Sequence, residues 1–170
     1  MLILFYLHYI SNVCLIIRFL FVSYNDIGGK MPRVKYIKSD IELLARIMRA
    51  EAVGEGSTGM MLVGNVVVNR ARAKCGPFKN VSTIRQVIYQ KSQFEGVGTR
   101  LFNQHPTENE KRLAKACLDY WTKWPAKNSL YFKNPGKNVK CPQTFFGPLI
   151  GRYKNHCFYA KDPKLKNCNF

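Results

Sequence analysis

Three glutamates, Glu51, Glu55 and Glu95, are the side chains of this sequence best suited to acid/base chemistry. Glu51 lies four residues after Ile47 and three after Met48, so in a helix it projects from the apolar face. A carboxyl group on that face is desolvated, and desolvation raises its pKa and favours the protonated form. A carboxyl that stays protonated near neutral pH can deliver a proton to a leaving oxygen, as a general acid does.

Periodicity alone leaves a second interpretation of Glu51 open, a buried ion pair with a basic residue from another element. Glu55 follows Gly54, and if the helix continued past that glycine the two glutamates would share a face and push their pKa values apart. If the helix ends there, Glu55 is a loop acid, which is the interpretation that we favour. Glu95 lies in the loop segment Ser92–Glu95 and could reach the same cleft.

The elements that position these glutamates are predicted to be helices. Ser39 and Glu42 form a predicted capping box for a first helix, which turns Leu44 and Met48 inward and Arg49 outward. The other predicted helices run from about Thr58 to Ala73, from Thr83 to Tyr89 and from Pro106 to Pro125.

Two details of the later helices are also predictions. Gly64, inside the second helix, indicates either a close contact with another helix or a local weakness. The last helix carries an apolar stripe that is typical of a buried core face rather than of a ligand platform. That stripe consists of Leu113, Cys117, Tyr120, Trp121 and Trp124.

After Pro125 the pattern changes to short β-type runs separated by Gly, Pro and Asn. The runs 129–132 and 155–159 are predicted to pair into one small antiparallel sheet. The sequence therefore predicts an α+β fold with a mainly helical core and a small antiparallel sheet in the C-terminal third.

Composition limits the class of protein and of partner. A hydrophobic fraction of 46% excludes a disordered chain, and 27 Lys and Arg against 10 Asp and Glu give a net charge of +17. Nucleic acid, teichoic acid, peptidoglycan carboxylates and an acidic protein layer would all fit that charge. The six cysteines form no CxxC pair, so we predict no metal site and scattered core thiols, with disulfides left open.

Residues 1–30 form an apolar leader that is predicted to lie outside the single domain of residues 31–170. The leader lacks a basic n-region and a small-residue cleavage site, so it does not predict a cleavable signal peptide. A membrane anchor is the alternative, and Arg18 inside the apolar run counts against it. Because Gly28-Gly29-Lys30 before Met31 could encode a ribosome-binding site, we favour Met31 as the initiator. A membrane contact is expected only if the leader is translated.

Several blocks of this sequence resemble the SleB/CwlJ family of cell-wall hydrolases. The most specific are Arg49–Gly56, which reads RAEAVGEG, and Gly64–Arg70, which reads GNVVVNR. Further blocks follow in the same order at Thr83–Tyr89, Gln93–Glu95, Ser129–Phe132 and His156–Tyr159. Trp124–Lys127 and the pair Cys141-Pro142 make the resemblance closest to the CwlJ branch. Each block alone is weak, but together and in this order they are specific.

The resemblance implies a lysozyme-like scaffold that cleaves the glycan strands of spore-cortex peptidoglycan during germination. In the SleB relatives the first glutamate of the E-A-x-G-E block is the acid/base, and this position corresponds to Glu51. The resemblance also implies a spore-coat location, retention by a small coat protein and activation by calcium dipicolinate, with no other cofactor. Five residues are expected in the glycan cleft because aromatic and amide groups suit sugar rings, although they also suit a core: Asn69, Phe94, Tyr131, His156 and Tyr159.

Two reactions stay open at this point. A hydrolase of the usual kind needs two carboxylates, about 5 Å apart for retention or about 6.5–9.5 Å apart for inversion, so it would pair Glu51 with Glu55 or Glu95. A lytic transglycosylase needs a single Glu, because the 6-hydroxyl of the muramic acid itself attacks the anomeric carbon. One glutamate on an apolar face favours the second reaction.

Two other classes of protein compete with the enzyme. A nucleic-acid-binding module would suit the positive charge and the aromatic content, but the sequence contains no known reading motif. A structural spore-coat protein would use the cysteines and tyrosines for cross-linking. Because neither class has a matching set of motifs, the sequence favours the enzyme and predicts no nucleic acid among its partners.

Overall fold

Five helices and a three-stranded sheet build the domain in the computed structural model, which describes residues 31–168. The leader, residues 1–30, and the predictions made for it lie outside the described residues. Among the described residues, no helix has the length and apolarity that crossing a bilayer requires. The helices are α1 (Lys38–Ala52), α2 (Gly56–Ala73), α3 (Ile84–Ile88), α4 (Arg100–Asn103) and α5 (Glu108–Asp119). The strands are β1 (Tyr131–Lys133), β2 (Leu149–Tyr153) and β3 (His156–Tyr159). This architecture confirms the predicted α+β class.

Helix α1 begins earlier than its predicted cap. Its N-cap is Ile37, whose backbone N–H donates to the Asp40 carboxylate at 3.0 Å, so Ser39 lies inside the first turn. A short 3-10 helix, Val53–Glu55, follows α1 directly. Gly56 then adopts a φ of 75°, a conformation that glycine enters without a steric penalty, and this residue starts α2.

Helices α1, α2 and α5 pack against one another around the main apolar core. Gly64 lies where these helices approach closely, because a Cβ on this residue would lie 2.8 Å from Met48 Sδ and 3.0 Å from Cys117 Sγ. The predicted close helix contact at Gly64 is confirmed. Burying one Leu, Ile or Val side chain contributes about 1.5–3 kcal/mol, so each buried member of this core stabilises the domain. Its fully buried members include Leu44, Ile47, Val63, Val67 and Leu118.

Arg49 does not point outward as predicted. Its side chain is buried, and the guanidinium donates to the Leu101 and Gln104 carbonyls at 2.6 Å and to the His105 carbonyl at 3.1 Å. The Glu110 carboxylate accepts a further bond from Arg49 at 3.2 Å and also accepts the Thr107 backbone N–H at 2.7 Å. The guanidinium is held inside because it satisfies carbonyls of a distant segment, which helical periodicity does not report.

Helix α5 is shorter than predicted. It ends at Asp119, so only part of its predicted apolar stripe is buried: Cys117 is fully buried, whereas Tyr120 and Trp124 are 60% and 63% exposed. Trp124 nevertheless has a neighbour, because its indole lies against the backbone of Gly151 in β2. The prediction that all five aromatic and apolar residues of this stripe belong to the core is therefore wrong.

The sheet has the strand order β1-β3-β2, and all its pairs are antiparallel. Tyr131 stands opposite Tyr159, and Phe132 stands opposite Phe158, as expected from pairing of the two predicted β runs. Strand β2 was not predicted. It contains an irregularity in register between Leu149 and Gly151, and none of its side chains is fully buried, so it lacks an alternating pattern.

Four of the cysteines form disulfides, which corrects the prediction of scattered core thiols. Cys75 pairs with Cys168, and Cys141 pairs with Cys157, over sequence separations of 93 and 16 residues. Cys117 remains a free, buried thiol. Sequence spacing cannot reveal such pairings, because they depend on which strands and loops the fold brings together.

Arg33 connects the N-terminal end of the described chain to the helical core. Its guanidinium donates to the side-chain oxygens of Asn65 at 2.7 Å and Asn69 at 2.8 Å, and to the carbonyls of Cys117 and Trp121. The Arg33 backbone N–H also donates to the Leu118 carbonyl at 2.8 Å. This single residue therefore joins three segments that are far apart in sequence.

Candidate active site

Glu51 lies in the last turn of α1 and is half-buried. The backbone N–H of Gly96, from the loop between α3 and α4, donates to its Oε1 at 2.6 Å. Among residues 31–168, Oε2 of Glu51 accepts no hydrogen bond and the carboxylate forms no salt bridge. One oxygen is thus fixed by the backbone and the other remains available to carry a proton.

The pKa of Glu51 is raised, and burial is the largest cause. The Gly96 hydrogen bond acts in the opposite direction, the negative charge of Glu95 raises the pKa further, and the positive charge of Arg70 lowers it. The desolvation expected from the apolar face of α1 is therefore confirmed. The alternative, a direct buried ion pair, is not what the described residues form around this carboxylate.

Arg70 of α2 is a buried cation whose positive charge acts on Glu51. Its guanidinium carbon lies 4.8 Å from the Phe94 ring centroid, 5.2 Å from that of Phe78 and 5.6 Å from that of Tyr131. Its Nε donates to the Leu130 carbonyl at 2.7 Å, whereas its Nη1 has no partner among the described residues. Burial lowers the pKa of Arg70 to about 10, and the carboxylate of Glu51 acts against that shift. The guanidinium therefore stays charged at neutral pH.

Two of the residues predicted for the glycan cleft surround this cation. Phe94 is buried beneath the guanidinium and comes two residues before Gly96, the donor to Glu51. Tyr131 of β1 is 7% exposed, and burial raises the pKa of its phenol. The structure thus brings Phe94 and Tyr131 together around Arg70, whose charge acts on Glu51.

Glu55 and Glu95, the two candidates for a second carboxylate, lie in different surroundings. Glu55 is buried, and its carboxylate accepts the backbone N–H and the side-chain amide of Asn155 at 3.1 and 3.0 Å. Lys154 donates to its carbonyl at 2.7 Å, so this glutamate fastens the β2–β3 turn to the end of α1. Glu95 is exposed and precedes Gly96, and its charge, unlike that of Glu55, is among the influences on Glu51.

The other three residues predicted for the cleft lie in the interior. His156 is 3% exposed, its Nδ1 lies 3.8 Å from Glu55 Oε1, and burial lowers its pKa. Asn69 is fully buried and donates to the carbonyls of Ala126, Lys127 and Ser129 while accepting from Arg33. Tyr159 is fully buried too, with its ring 5.5 Å from that of Phe145. These side chains hold the scaffold around the site.

Arg70 and Gly96 were not singled out as site residues from the sequence. Arg70 follows Val66 and Val67 by four and three residues, so the spacing that marked Glu51 also places this cation on an apolar helical face. No comparable signal exists for Gly96. A Cβ at this position would lie 2.8 Å from Glu51 Oε1 and 2.8 Å from the Ala50 Cβ, a constraint visible only in three dimensions.

The arrangement can perform proton transfer. A half-buried carboxyl with a raised pKa, oriented by a backbone N–H, can protonate a leaving oxygen. The positive charge of the buried Arg70 then favours the ionised carboxylate. Within residues 31–168, no three His, Cys, Asp or Glu side chains are grouped so that they could hold a metal ion. The chemistry that the Glu51 carboxyl offers is general acid/base catalysis.

Comparison with known proteins agrees with this geometry. The sequence profile described as Cell Wall Hydrolase matches residues 54–159. The chain is 43% identical to the cell wall hydrolase CwlJ of Bacillus subtilis (strain 168) over 139 residues, which is 81% of this chain and 95% of that protein. It is 33% identical to the spore cortex-lytic enzyme of Bacillus cereus (strain ATCC 14579) over 108 residues, 64% of this chain and 39% of that longer protein.

Solved structures extend the likeness to the fold. The catalytic domain of the Bacillus cereus SleB protein superposes with a TM-score of 0.61 at 26% identity, covering 78% of this chain and 98% of that domain. The predicted lysozyme-like, mainly helical scaffold with a small C-terminal sheet is thereby confirmed. Neither the nucleic-acid-binding module nor the structural coat protein finds support in these comparisons. This chain belongs to the cell wall hydrolase family.

Proposed function

We propose that this protein cleaves the glycan strands of spore-cortex peptidoglycan during germination, with Glu51 as the acid/base. The observation that carries the proposal is the Glu51 carboxyl itself, whose pKa is raised by burial and whose Oε1 is fixed by the Gly96 N–H. The similarity to a CwlJ cell wall hydrolase and to a spore cortex-lytic enzyme supports the choice of substrate.

The reaction that fits this site best is a lytic transglycosylation. Protonated Glu51 gives its proton to the glycosidic oxygen as the bond from the anomeric carbon to that oxygen breaks. The resulting carboxylate then takes the proton of the 6-hydroxyl of the same sugar, whose oxygen bonds to the anomeric carbon and closes a 1,6-anhydro ring. One glutamate therefore serves in both steps, and no second carboxylate is required.

Hydrolysis is the second candidate, because one observation favours it. Glu95 is exposed, adjoins Gly96 and acts electrostatically on Glu51, so it can activate a water for attack on the anomeric carbon. Glu55 is a weaker partner, since Asn155 occupies both of its carboxylate oxygens. In this version the product carries a reducing end and no anhydro ring.

Analysis of the muropeptides released from purified cortex peptidoglycan tests both the function and the reaction. Wild-type protein is expected to release 1,6-anhydro ends, and Glu51→Gln is expected to release none. Products with reducing ends alone would reject the transglycosylase version and support hydrolysis through Glu95. Full activity of Glu51→Gln would end the proposal.

The control for this variant is a measurement of its unfolding temperature beside that of wild type. The amide oxygen of Gln can still accept the Gly96 N–H, so the variant keeps the hydrogen bond. Because the folded-state pKa of Glu51 is raised, the wild-type protein loses stability as pH rises through that pKa. Glu51→Gln is therefore expected to unfold at the same temperature as wild type or a higher one at neutral pH, which separates loss of chemistry from loss of structure.

We also propose a spore-coat location, retention by a small coat protein and activation by calcium dipicolinate. These features rest on the family resemblance, and the excess of 27 Lys and Arg over 10 Asp and Glu suits acidic partners. Fractionation of spores with an antibody against this chain tests the location. Cortex lysis by the purified protein with and without calcium dipicolinate tests the activator.

A further inference from the structure

Phe146 has two unfavourable features, an exposed aromatic side chain and a left-handed backbone conformation. It exposes 68% of its surface to solvent, and its backbone φ is +56°, in the left-handed region that bulky side chains rarely enter. Neither hydrophobic burial nor backbone preference explains an aromatic residue there. Residues in such conformations persist where the surrounding structure fixes them, and they concentrate at ligand and active sites.

The loop around Phe146 is held firmly by its neighbours. The Phe145 N–H donates to the Gly147 carbonyl at 2.9 Å, and the Leu149 N–H donates to the Gln143 carbonyl at 2.9 Å. Gly147 lies so close to the Ala160 backbone that a Cβ would overlap it. The Cys141–Cys157 disulfide joins the start of this loop to β3. The exposed ring is therefore presented by a rigid segment.

The Phe146 ring continues the aromatic cluster of the candidate active site. Its centroid lies 5.3 Å from that of Tyr131 at an interplanar angle of 34°, and 4.8 Å from that of Phe145 at 65°. Tyr131 in turn lies beneath the Arg70 guanidinium, whose charge acts on Glu51. The ammonium group of Lys133 lies 5.4 Å from the Phe145 ring centroid and so borders this aromatic cluster. We call Tyr131, Phe145 and Phe146 the aromatic platform.

We propose that the aromatic platform is a sugar-binding subsite, in which the exposed Phe146 ring stacks against one pyranose ring of the glycan strand away from the bond that is cleaved. The C–H face of a pyranose is apolar and packs on an aromatic face. Lys133 adds a positive charge that complements the carboxylates carried by peptidoglycan. Tyr131 joins the platform to Arg70, and the charge of Arg70 acts on Glu51, so we place the platform on the path of a strand bound at Glu51.

This inference rests on the proposed function, and its test is chosen so that the two can fail separately. Binding of isolated cortex glycan strands is measured in a Glu51→Gln background, where no cleavage occurs. If the wild-type protein does not cleave cortex, the proposed function fails. If removing the Phe146 ring leaves binding unchanged, only the subsite fails.

The decisive variants are Phe146→Asn and Phe146→Gly, because both residues enter a φ of +56° more readily than Phe does. They are expected to unfold at the same temperature as the parent or a higher one, while binding glycan strands about tenfold more weakly, the loss expected for one aromatic stacking partner. Phe146→Trp is expected to keep the affinity, since it retains an aromatic face.

Tyr120→Ala is the control, because Tyr120 is also exposed, by 60%, but belongs to the end of α5 and not to the platform. It is expected to bind like the parent. Three outcomes overturn the proposal: equal binding by Phe146→Asn and Phe146→Gly, an equal loss in Tyr120→Ala, or unfolding of both Phe146 variants, which would make the ring structural.

Discussion

The Glu51 carboxylate and the Gly96 backbone N–H are joined by a hydrogen bond of 2.6 Å that connects the last turn of α1 to a loop 45 residues away in sequence. Because the donor is a main-chain group, its direction depends on the path of the loop and not on a side-chain rotamer. Phe94, two residues earlier, is buried under the Arg70 guanidinium and fixes that path. The orientation of the acid is therefore a property of the fold.

Gly96→Ala is expected to lower the rate of cortex cleavage by at least about tenfold, because the new methyl group would lie 2.8 Å from Glu51 Oε1 and from the Ala50 Cβ. Both neighbours must move, and the carboxyl loses its position. Muropeptide release at substrate saturation measures the effect. Gly98→Ala is a control for glycine replacement in the same loop, since a Cβ there meets no neighbour, although its φ of +84° adds backbone strain. Unchanged cleavage by Gly96→Ala would contradict the proposed role of this contact.

Glu95→Gln is expected to move the alkaline limb of the pH–activity profile to lower pH. The negative charge of Glu95 raises the pKa of Glu51, so its removal lowers that pKa and Glu51 loses its proton earlier as pH rises. Because Glu95 is exposed, the shift should shrink at high ionic strength. Initial rates across the pH range at low and high salt measure this. Loss of activity at every pH would instead identify Glu95 as an essential second carboxylate.

Arg70→Met is expected to move the same limb in the opposite direction, because the positive charge of Arg70 lowers the pKa of Glu51. The variant should also lose about 1–3 kcal/mol of unfolding free energy, since the buried Leu130 carbonyl loses its donor. Arg70→Lys lacks the planar group that stacks on Phe94, and the burial that lowers the pKa of Arg70 also lowers that of a lysine. It should therefore lose stability and move the limb less than Arg70→Met does. Urea unfolding and pH–rate profiles of both variants check the prediction.

Reduction of the disulfides is expected to destabilise the domain. In the chain-entropy account, closing a loop of 16 residues between Cys141 and Cys157 contributes about 3 kcal/mol, and closing 93 residues between Cys75 and Cys168 contributes about 4–5 kcal/mol. Denaturant unfolding of Cys141→Ser/Cys157→Ser and Cys75→Ser/Cys168→Ser measures each contribution. Equal stability of wild type with and without reductant would show that the cysteines are not paired in solution.

Local interactions were the part of the fold that the sequence predicted well. Helices α3 and α5 begin within two residues of their predicted starts, and the caps that fix them, Thr83 with Gln86 and Thr107 with Glu110, each lie within four residues. The desolvation of Glu51 was also predictable, because it follows from the apolar spacing of its own helix. In each case the interaction that decides the outcome is contained in a short segment.

Contacts between distant segments account for what the sequence did not predict. Arg49 is buried because carbonyls more than fifty residues away accept its donors, and Gly96 matters because of its approach to Glu51. The carboxylate of Glu55, a candidate second carboxylate, accepts hydrogen bonds from Asn155, one hundred residues later. The sequence thus indicated the desolvated carboxyl of Glu51 but not the groups that orient it and shift its pKa.

Arg33 sets a limit to how far the N-terminal side of the chain can be shortened. A version that begins at Met31 keeps the guanidinium that donates to Asn65, to Asn69 and to the carbonyls of Cys117 and Trp121. A version that begins at Lys35 leaves those buried acceptors without their donor. In a shortened chain these contacts are therefore kept or lost together, according to whether Arg33 is present.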